Sequence, residues 1–315
     1  MKNMHKSIGA FLDGLMGFVG SRSLVSRMAF AVLGRKNVYR IRYFQTRGRW
    51  PHLKHPKDLS EILISRILSD QFADFAKYAD KVEVRRYLEE KGLGKCLLEH
   101  YRYWDNAADI SLDGLPERFV LKASNGSGGK DVFVCRDKKT FDLERAKASL
   151  AKVLAKKYKL ERQYNVFPPK VICEELIDTG SDALPTDYKF ICIHGEPVGI
   201  FIVTDRGTHK RFCIRNTDWS EIDYTRHEYL PAVPPPKPAH LEEMLQISRR
   251  LAEGFDFVRV DLYEYKNQVY FGELTCSPGG GLMVSYNDRA LRDYGKMLLE
   301  GSASGKGNAQ PGKAT

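Results

Sequence analysis

Residues 257–279, with the sequence FVRVDLYEYKNQVYFGELTCSPG, constrain the fold more than any other stretch of the chain. Two segments of alternating apolar and polar residues flank Lys266-Asn267-Gln268, and this pattern predicts two antiparallel strands joined by a short turn. A three-residue turn would pair Tyr265 with Val269 and so fix the register of the whole hairpin. The run from Ser277 to Gly281 that follows is too rich in glycine for plain sheet and predicts a sharp exit.

In that register four polar side chains share one face of the hairpin, because neighbouring side chains on a strand point to opposite faces. They are Arg259, Asp261, Glu273 and Thr275. The opposite face is predicted to be apolar and to consist of Val258, Val260, Leu262, Tyr270 and Leu274. Two facing carboxylates repel each other unless a cation lies between them, and hard oxygen ligands suit Mg²⁺. The polar face is therefore either a magnesium site or a solvated surface with an ordinary cross-strand ion pair.

The charge and the cysteines of the chain narrow the class of protein. A chain of 315 residues with 43 % hydrophobic and 29 % charged residues can bury one large core or two modest ones. Its net charge of +10 predicts an anionic partner, without choosing among a nucleotide, a polyanion and a membrane surface. The six cysteines are scattered, with no CxxC pair and no metal-ligand spacing, which favours a reducing cytosol.

The first 57 residues are predicted to be helical and then basic. Residues 7–33 have apolar residues at helical spacing, interrupted by charges, with no uncharged run near the roughly 18 residues of a membrane-spanning helix. This helix either lies on a membrane surface through Phe11, Leu15 and Phe18 or docks on the rest of the domain. Residues 35–57 hold eight Lys or Arg interleaved with aromatic residues. Since no nucleic-acid motif accompanies them, we expect no nucleic acid and interpret them as a surface for an anionic acceptor or for lipid headgroups.

A second informative stretch, FVLKASNGSGGKDVFVC at residues 119–135, reads as strand, glycine loop and strand. Successive backbone N–H groups of such a loop can bind phosphate oxygens. The loop is not a P-loop, because Lys130 is followed by Asp131 and a strand replaces the helix. Lys122, just before the loop in an otherwise apolar strand, must find an anion.

Further charged residues follow predicted elements in the middle of the chain. Residues 58–92 are predicted to be helical, with Asp58 as the cap and Gly92 as the stop. Within VICEELI (residues 171–177), Glu174 and Glu175 stand at the end of an apolar strand, where they either face a ribose or adenine edge or mark the point at which the strand reaches water. Asp187 and Lys189 share a face of the next strand. DRGTHKR at 205–211 is a strongly basic loop, and we expect its Arg206, His209, Lys210 and Arg211 to bind the anionic acceptor, with help from residues 35–57.

The order of these segments resembles that of the ATP-grasp superfamily, and their residues resemble those of its TupA-like branch. The matching phrases are ADKVEVRRYLEEKGLGKCLL, LPERFVLKASNGSGG, VICEELI, LPTDYKFICIHGEP and FVRVDLYEYKNQVYFGELTCSPG, across roughly residues 55–295. The resemblance implies an α+β fold in which two subdomains grip ATP between antiparallel sheets. It also implies the role of each candidate residue. The implied groups are the phosphate lysines Lys81 and Lys122; the phosphate flap Ser124, Gly126, Ser127, Gly128 and Gly129; the adenine and ribose neighbours Glu174, Glu175, Ile177 and Asp187; the Mg²⁺ ligands Asp261, Glu273 and Thr275; and the catalytic cations Lys189 and Arg259. We add Arg211 of the basic loop as a third catalytic cation. Many ATP-grasp ligases have Asn where this chain has Thr275, which leaves the number of magnesium ions open.

The implied activity is an ATP- and Mg²⁺-dependent carboxylate–amine ligase that acts through an acyl phosphate. The TupA-like branch is associated with cell-surface polysaccharide synthesis, so we expect an amino acid or amine to be attached to a uronic-acid polymer or its precursor. The alternatives are a kinase that phosphorylates a sugar hydroxyl and a non-catalytic module of an envelope complex. The expected location is the cytoplasm, with possible contact at the inner face of the membrane. The predicted regions are 1–57, a helical 58–118, an ATP-grasp domain at 119–300 divided near residue 176, and a disordered tail at 301–315.

Overall fold

A computed structural model of the chain describes residues 24–126, 132–179, 185–204 and 210–303. Its helices are α1 (Leu24–Arg47), α2 (Leu59–Leu68), α3 (Ala76–Ala79), α4 (Val84–Glu90), α5 (Leu143–Leu154), α6 (Leu241–Ala252) and α7 (Asp288–Ala303). Its strands are β1 (His100–Trp104), β2 (Phe119–Ala123), β3 (Val132–Cys135), β4 (Val171–Glu174), β5 (Asp187–Ile193), β6 (Glu196–Thr204), β7 (Arg211–Arg215), β8 (Phe257–Tyr265) and β9 (Gln268–Thr275). The strands form two separate antiparallel sheets, so the predicted α+β class is confirmed.

The first sheet has the strand order β1-β4-β2-β3 and two unlike faces. Phe119, Leu121 and Cys173 on one face belong to an apolar core that also contains residues of α5. The other face carries Lys122 and Glu174, whose positions alternate with those core residues. Strand β1 starts before residue 119, so this sheet includes a strand from the region predicted to precede the ATP-grasp domain. The predicted domain boundaries otherwise stay predictions.

The second sheet has the order β7-β6-β5-β8-β9 and lies in a larger core. This core also includes the inward side chains of α2, α6 and α7, together with Tyr39 and Tyr43 of α1. Asp58 caps α2 as predicted, because its carboxylate accepts a hydrogen bond of 2.9 Å from the Glu61 N–H. Gly92 ends the helical region with a φ of +65°, a value that glycine adopts without strain.

The β8–β9 hairpin has the predicted site register but not the predicted turn. Tyr265 pairs with Gln268 rather than Val269, so the turn holds two residues, Lys266 and Asn267, both with positive φ. The turn is therefore one residue shorter than predicted, and a β-bulge at Gly272 adds one residue to β9 and compensates for it.

This bulge restores the predicted pairs at the end of the hairpin that carries the polar side chains. Asp261 pairs with Glu273, and Arg259 pairs with Thr275. Because the bulge reverses the alternation on β9, Tyr270 is only partly buried, and Val269 and Phe271 occupy the apolar face instead. The expectation that Tyr270 belongs to the apolar face was therefore wrong.

Several predictions concern residues that the structure does not describe. Phe11, Leu15 and Phe18 of the predicted membrane-facing helix and the tail after residue 303 lie outside the described residues, as do Ser127, Gly128, Gly129, Lys130, Arg206 and His209. Within the described part of the chain, no helix combines the length and the apolar character needed to cross a membrane.

Candidate active site

The centre of the site is the pair of facing carboxylates on β8 and β9. Asp261 is fully buried, whereas the side chain of Glu273 is 41 % exposed. Arg259 joins them: its Nε donates to Asp261 Oδ1 at 2.6 Å, and its Nη2 donates to Asp261 Oδ2 at 2.7 Å and to Glu273 Oε1 at 2.9 Å. The Thr275 hydroxyl donates to Glu273 Oε1 at 3.0 Å. The structure thus brings together all four polar residues predicted for this face.

Strand β5 adds a lysine from the neighbouring position in the sheet. Lys189 pairs in register with Asp261, and its ammonium forms ion pairs with Asp261 and, at 2.6 Å, with Asp187. The predicted shared face of Asp187 and Lys189 is therefore the face that holds the carboxylate pair. Three carboxylates and two cations meet here, mostly out of contact with water.

The two central carboxylates have opposite pKa shifts. Burial raises the pKa of Asp261 to about 6, with help from the charges of Glu273 and Asp187 and against Arg259 and Lys189. Burial also acts to raise the pKa of Glu273, but Lys189, Arg259 and Lys81 outweigh it and lower this pKa to about 2. Glu273 therefore stays ionised at neutral pH. The ionised form of Asp261 is stabilised by the neighbouring cations Arg259 and Lys189.

This donor set fits a magnesium ion. The described residues contain no cluster of three or more His, Cys, Asp or Glu side chains that could hold a metal by themselves. Mg²⁺ does not need one, since it usually binds through one or two carboxylates together with substrate phosphates and water. Asp261 and Glu273 are such a pair, and the Thr275 hydroxyl adds a third oxygen within 3.0 Å of Glu273.

The first sheet contributes a buried lysine–glutamate pair. The Lys122 ammonium forms an ion pair with Glu174 Oε1, and the other oxygen of Glu174 lies 3.3 Å from His100 Nε2. Burial raises the pKa of Glu174, but Lys122 and His100 reverse this effect and lower it to about 2. The anionic partner predicted for Lys122 is therefore a carboxylate of the protein itself, that of Glu174.

Lys81 connects the two sheets electrostatically. Its ammonium donates to the carbonyl oxygen of Gly126 at 2.7 Å and to that of Ser124 at 3.4 Å, so it lies beneath the start of the glycine loop. Burial lowers the pKa of Lys81, and so does Lys122, whereas Glu273 opposes this shift. Since Lys81 interacts with Lys122 on one sheet and Glu273 on the other, both sheets contribute to one site.

The remaining predicted site residues have mixed placements. Ser124 is buried, and its hydroxyl accepts a 3.1 Å hydrogen bond from the Lys170 N–H, which ties down the base of the loop. Glu175 and Ile177 lie just beyond the end of β4. The Glu175 N–H donates to the Glu99 carbonyl at 2.9 Å, and Ile177 is buried. Arg211 starts the edge strand β7 and donates to the Glu228 carbonyl at 2.7 Å. Its predicted catalytic role and the adenine roles of Glu174, Glu175 and Ile177 stay predictions.

The sequence analysis missed two residues near the site, His100 and Glu161. His100 is an isolated histidine in the sequence, and only the pairing of β1 with β4 places it opposite Glu174. Glu161 precedes a 3₁₀ turn at Arg162–Asn165 and accepts a hydrogen bond of 2.8 Å from the Ser277 hydroxyl. The sequence separation of 116 residues between Glu161 and Ser277 left no local signal for this contact.

The sequence matches the model of the TupA-like ATP-grasp family over residues 61–298. Because this match spans most of the chain, the protein belongs to the TupA-like ATP-grasp family, and the predicted family is confirmed. No curated protein matches the chain significantly.

Solved structures with a similar fold include two D-alanine–D-alanine ligases. The enzyme from Helicobacter pylori is 18 % identical, with a TM-score of 0.40, over 71 % of this chain and 60 % of that chain. The Bacillus anthracis enzyme complexed with ATP is 15 % identical, with a TM-score of 0.43, over 73 % of this chain and 66 % of that chain. The chain thus spans about 60 % of the length of the first of these ligases.

Proposed function

We propose that this protein is an ATP- and Mg²⁺-dependent ligase that joins a carboxylate to an amine. The observation that carries the proposal is the placement of Lys81, Lys189 and Arg259 around Asp261 and Glu273, with Lys122, paired to Glu174, within electrostatic range of Lys81. Such a group of cations suits the phosphates of ATP, and the carboxylate pair suits the accompanying Mg²⁺. Membership of the TupA-like ATP-grasp family supports ATP as the nucleotide.

The site would work by positioning and by charge. Lys81 and Lys122 would hold the ATP phosphates, Asp261 and Glu273 would hold Mg²⁺ with the Thr275 hydroxyl, and Lys189 and Arg259 would stabilise the charge that develops on the transferred phosphoryl group. When bound, Mg²⁺ supplies further neutralisation of the phosphate oxygens.

The reaction has two steps. The substrate carboxylate attacks the γ-phosphorus and releases ADP, and the amine then attacks the resulting acyl phosphate, forming the amide and releasing phosphate and protons.

A covalent enzyme intermediate is not needed, and the cysteines support this view. All six are buried, and burial raises the pKa of each thiol, for example to about 12 at Cys173 and Cys276. A buried, protonated thiol is a poor nucleophile.

For the carboxylate substrate we propose a uronic-acid-containing saccharide or polymer, which would neutralise the excess positive charge of the chain. The basic stretch 35–57 contributes less to this surface than its composition suggests. Arg35 donates to Asp70 and to two backbone carbonyls, Arg47 donates to three carbonyls between Leu282 and Tyr286, and Arg49 pairs with Asp58 and Glu61. We therefore assign acceptor binding chiefly to the basic segment that ends in Lys210 and Arg211, and contact with a membrane surface remains the alternative.

The test is ADP release by the purified protein with Mg²⁺-ATP, a panel of uronic acids and their oligomers, and the twenty amino acids. Mass spectrometry of the product distinguishes an amide, which we expect, from a phosphate ester, which would show a kinase. Charge reversal in Lys210→Glu/Arg211→Glu should raise the KM for oligomers and leave the KM for ATP unchanged. Lys152→Glu, an exposed change on α5, is the matched control. Absence of ADP release with every uronic acid would overturn the proposed substrate class.

A further inference from the structure

A group of polar side chains lies beside the exit of β9, outside the carboxylate pair. The Ser277 hydroxyl donates to Glu161 Oε1 at 2.8 Å and accepts a hydrogen bond from Gln163 Nε2 at 2.9 Å. Ser277 follows Thr275 by two residues, which in extended chain corresponds to about 7 Å. Ser277, just beyond the end of β9, therefore holds Glu161 close to the end of the hairpin that carries Glu273 and Thr275.

A buried tyrosine hydroxyl points into the same place. Tyr39 is 1 % exposed, and among the described residues its hydroxyl has no hydrogen-bond partner. A Cβ atom built on Gly280 would lie 3.5 Å from Glu161 Oε2 and 3.9 Å from the Tyr39 hydroxyl oxygen. The carboxylate oxygen that Ser277 does not bind and the unpartnered hydroxyl thus converge beside Gly280.

The charge of Glu161 is not matched by any ion pair with a described residue. Burial raises its pKa, and the Ser277 hydrogen bond, Lys156 and Arg42 act against this only in part. A partly buried carboxylate of this kind is stabilised by a cation that brings its own hydrogen-bond donors.

We propose that Glu161 and Tyr39, beside Gly280, bind the ammonium group of the amine substrate. An ammonium group has three N–H donors and no acceptor, which matches a carboxylate oxygen and a hydroxyl oxygen that receive no donor from the described residues. This location lies just past the end of the hairpin that carries the carboxylate pair, so the bound amine would be near the activated carboxylate. This inference rests on the proposed ligase function, because only a ligase needs an amine site at this position.

The test separates amine binding from activation of the carboxylate. In Glu161→Gln the KM for the amino acid with the highest turnover should rise at least about tenfold, as expected when one charge of a desolvated pair is removed. The same variant should form hydroxamate from the uronic acid, Mg²⁺-ATP and hydroxylamine at the wild-type rate, because hydroxylamine is uncharged at neutral pH and intercepts the activated carboxylate without an ammonium site. Tyr39→Phe should show a smaller effect of the same kind, and Glu144→Gln, an exposed glutamate on α5, should show none.

A binding measurement makes the result independent of turnover. Saturation-transfer NMR in the presence of Mg²⁺-ADP should detect glycinamide, which carries an ammonium group, on the wild type and not on Glu161→Gln. Acetamide, which lacks the ammonium group, should give no signal on either protein.

The possible failures differ from one another. Wild-type protein that makes no hydroxamate from any uronic acid would refute the proposed carboxylate substrate, while the glycinamide measurement would still decide the assignment of Glu161. Equal amine KM values and equal glycinamide signals in the wild type and a folded Glu161→Gln variant would overturn the inference and leave Glu161 a purely structural partner of Ser277. The melting temperature, which should change little because the Gln amide oxygen still accepts from Ser277, identifies a variant that has merely lost its fold.

Discussion

Asp261 lies directly opposite Glu273 in the β8–β9 ladder, although the turn between these strands holds only two residues. The extra residue of the bulge, Gly272, makes this pairing possible. A Cβ on Gly272 would lie 2.8 Å from the Tyr263 ring and 3.1 Å from the Asp261 carbonyl oxygen, so a larger residue has no room there. The bulge therefore sets the geometry of the carboxylate pair.

Replacing Gly272 should disturb both stability and the site. We expect Gly272→Val to lower the free energy of unfolding by about 1–3 kcal/mol, the usual cost of overpacking, and to weaken binding of Mg²⁺-ATP. Urea denaturation and nucleotide titration measure the two effects. Gly94→Ala is the control, since its new Cβ would approach no atom closer than 3.7 Å. A Gly272→Val protein with wild-type stability and affinity would contradict the role of the bulge.

Neutralising the carboxylate pair should abolish turnover in folded protein. We expect Asp261→Asn and Glu273→Gln each to reduce ATP turnover by about 100-fold or more, by analogy with removal of one preorganised electrostatic group. Asp261→Asn should also cost stability, because it leaves Arg259 and Lys189 buried without their main partner, whereas Glu273 is partly exposed. Circular dichroism checks the fold, and Glu196→Gln, an exposed change on β6, is the control. Near-normal activity of both folded variants would remove the assignment of the magnesium ligands.

Lys122 should matter more for nucleotide binding than the lysine at the far end of the glycine loop. Lys122→Ala is expected to raise the Kd for ATP by at least about tenfold, as for the loss of one buried charge at a binding site. We predict a smaller effect for Lys130→Ala, since this residue follows the loop. Lys170→Ala, which removes an exposed ion pair with Asp105, is the control. Calorimetric titrations in which Lys130→Ala is the more damaging change would reverse this interpretation of the loop.

The stability contributed by Glu174 should depend on pH. Its pKa is lowered from 4.5 to about 2 in the folded protein, so the ionised carboxylate stabilises the fold fully above pH 4.5, and this contribution is lost as the pH falls toward 2. Glu174→Gln should therefore lower the free energy of unfolding at pH 7 by an amount on the order of 3 kcal/mol, given about 1.4 kcal/mol for each pKa unit.

The difference between the wild type and Glu174→Gln should stay constant from pH 7 to 5 and shrink below pH 4.5. Urea denaturation at a series of pH values measures it, with Glu144→Gln as an exposed control. A difference that grows as the pH falls would show that Lys122 and His100 do not stabilise the ionised form.

Much of the site followed from short-range patterns in the sequence. Alternation along β8 and β9 placed Arg259, Asp261, Glu273 and Thr275 on one face, and the apolar strand around Lys122 showed that this lysine needs an anion. These inferences held because the period of a β-strand depends on local backbone geometry. The predicted turn length was wrong, but the predicted pairing of Asp261 with Glu273 was right, because the bulge at Gly272 compensated for the shorter turn.

The sequence by itself determined the family, the two strand-rich segments and the polar face of the hairpin, all of which depend on residues close to one another in the chain. Only the tertiary structure decided which charges meet. The pairing of Lys122 with Glu174 and His100 depends on the order of β1, β4 and β2 in the first sheet, and the contact between Glu161 and Ser277 joins residues 116 apart. Long-range contacts of this kind arise from the packing of whole elements, and the buried charges then select one another because an unpaired charge in the interior is too costly.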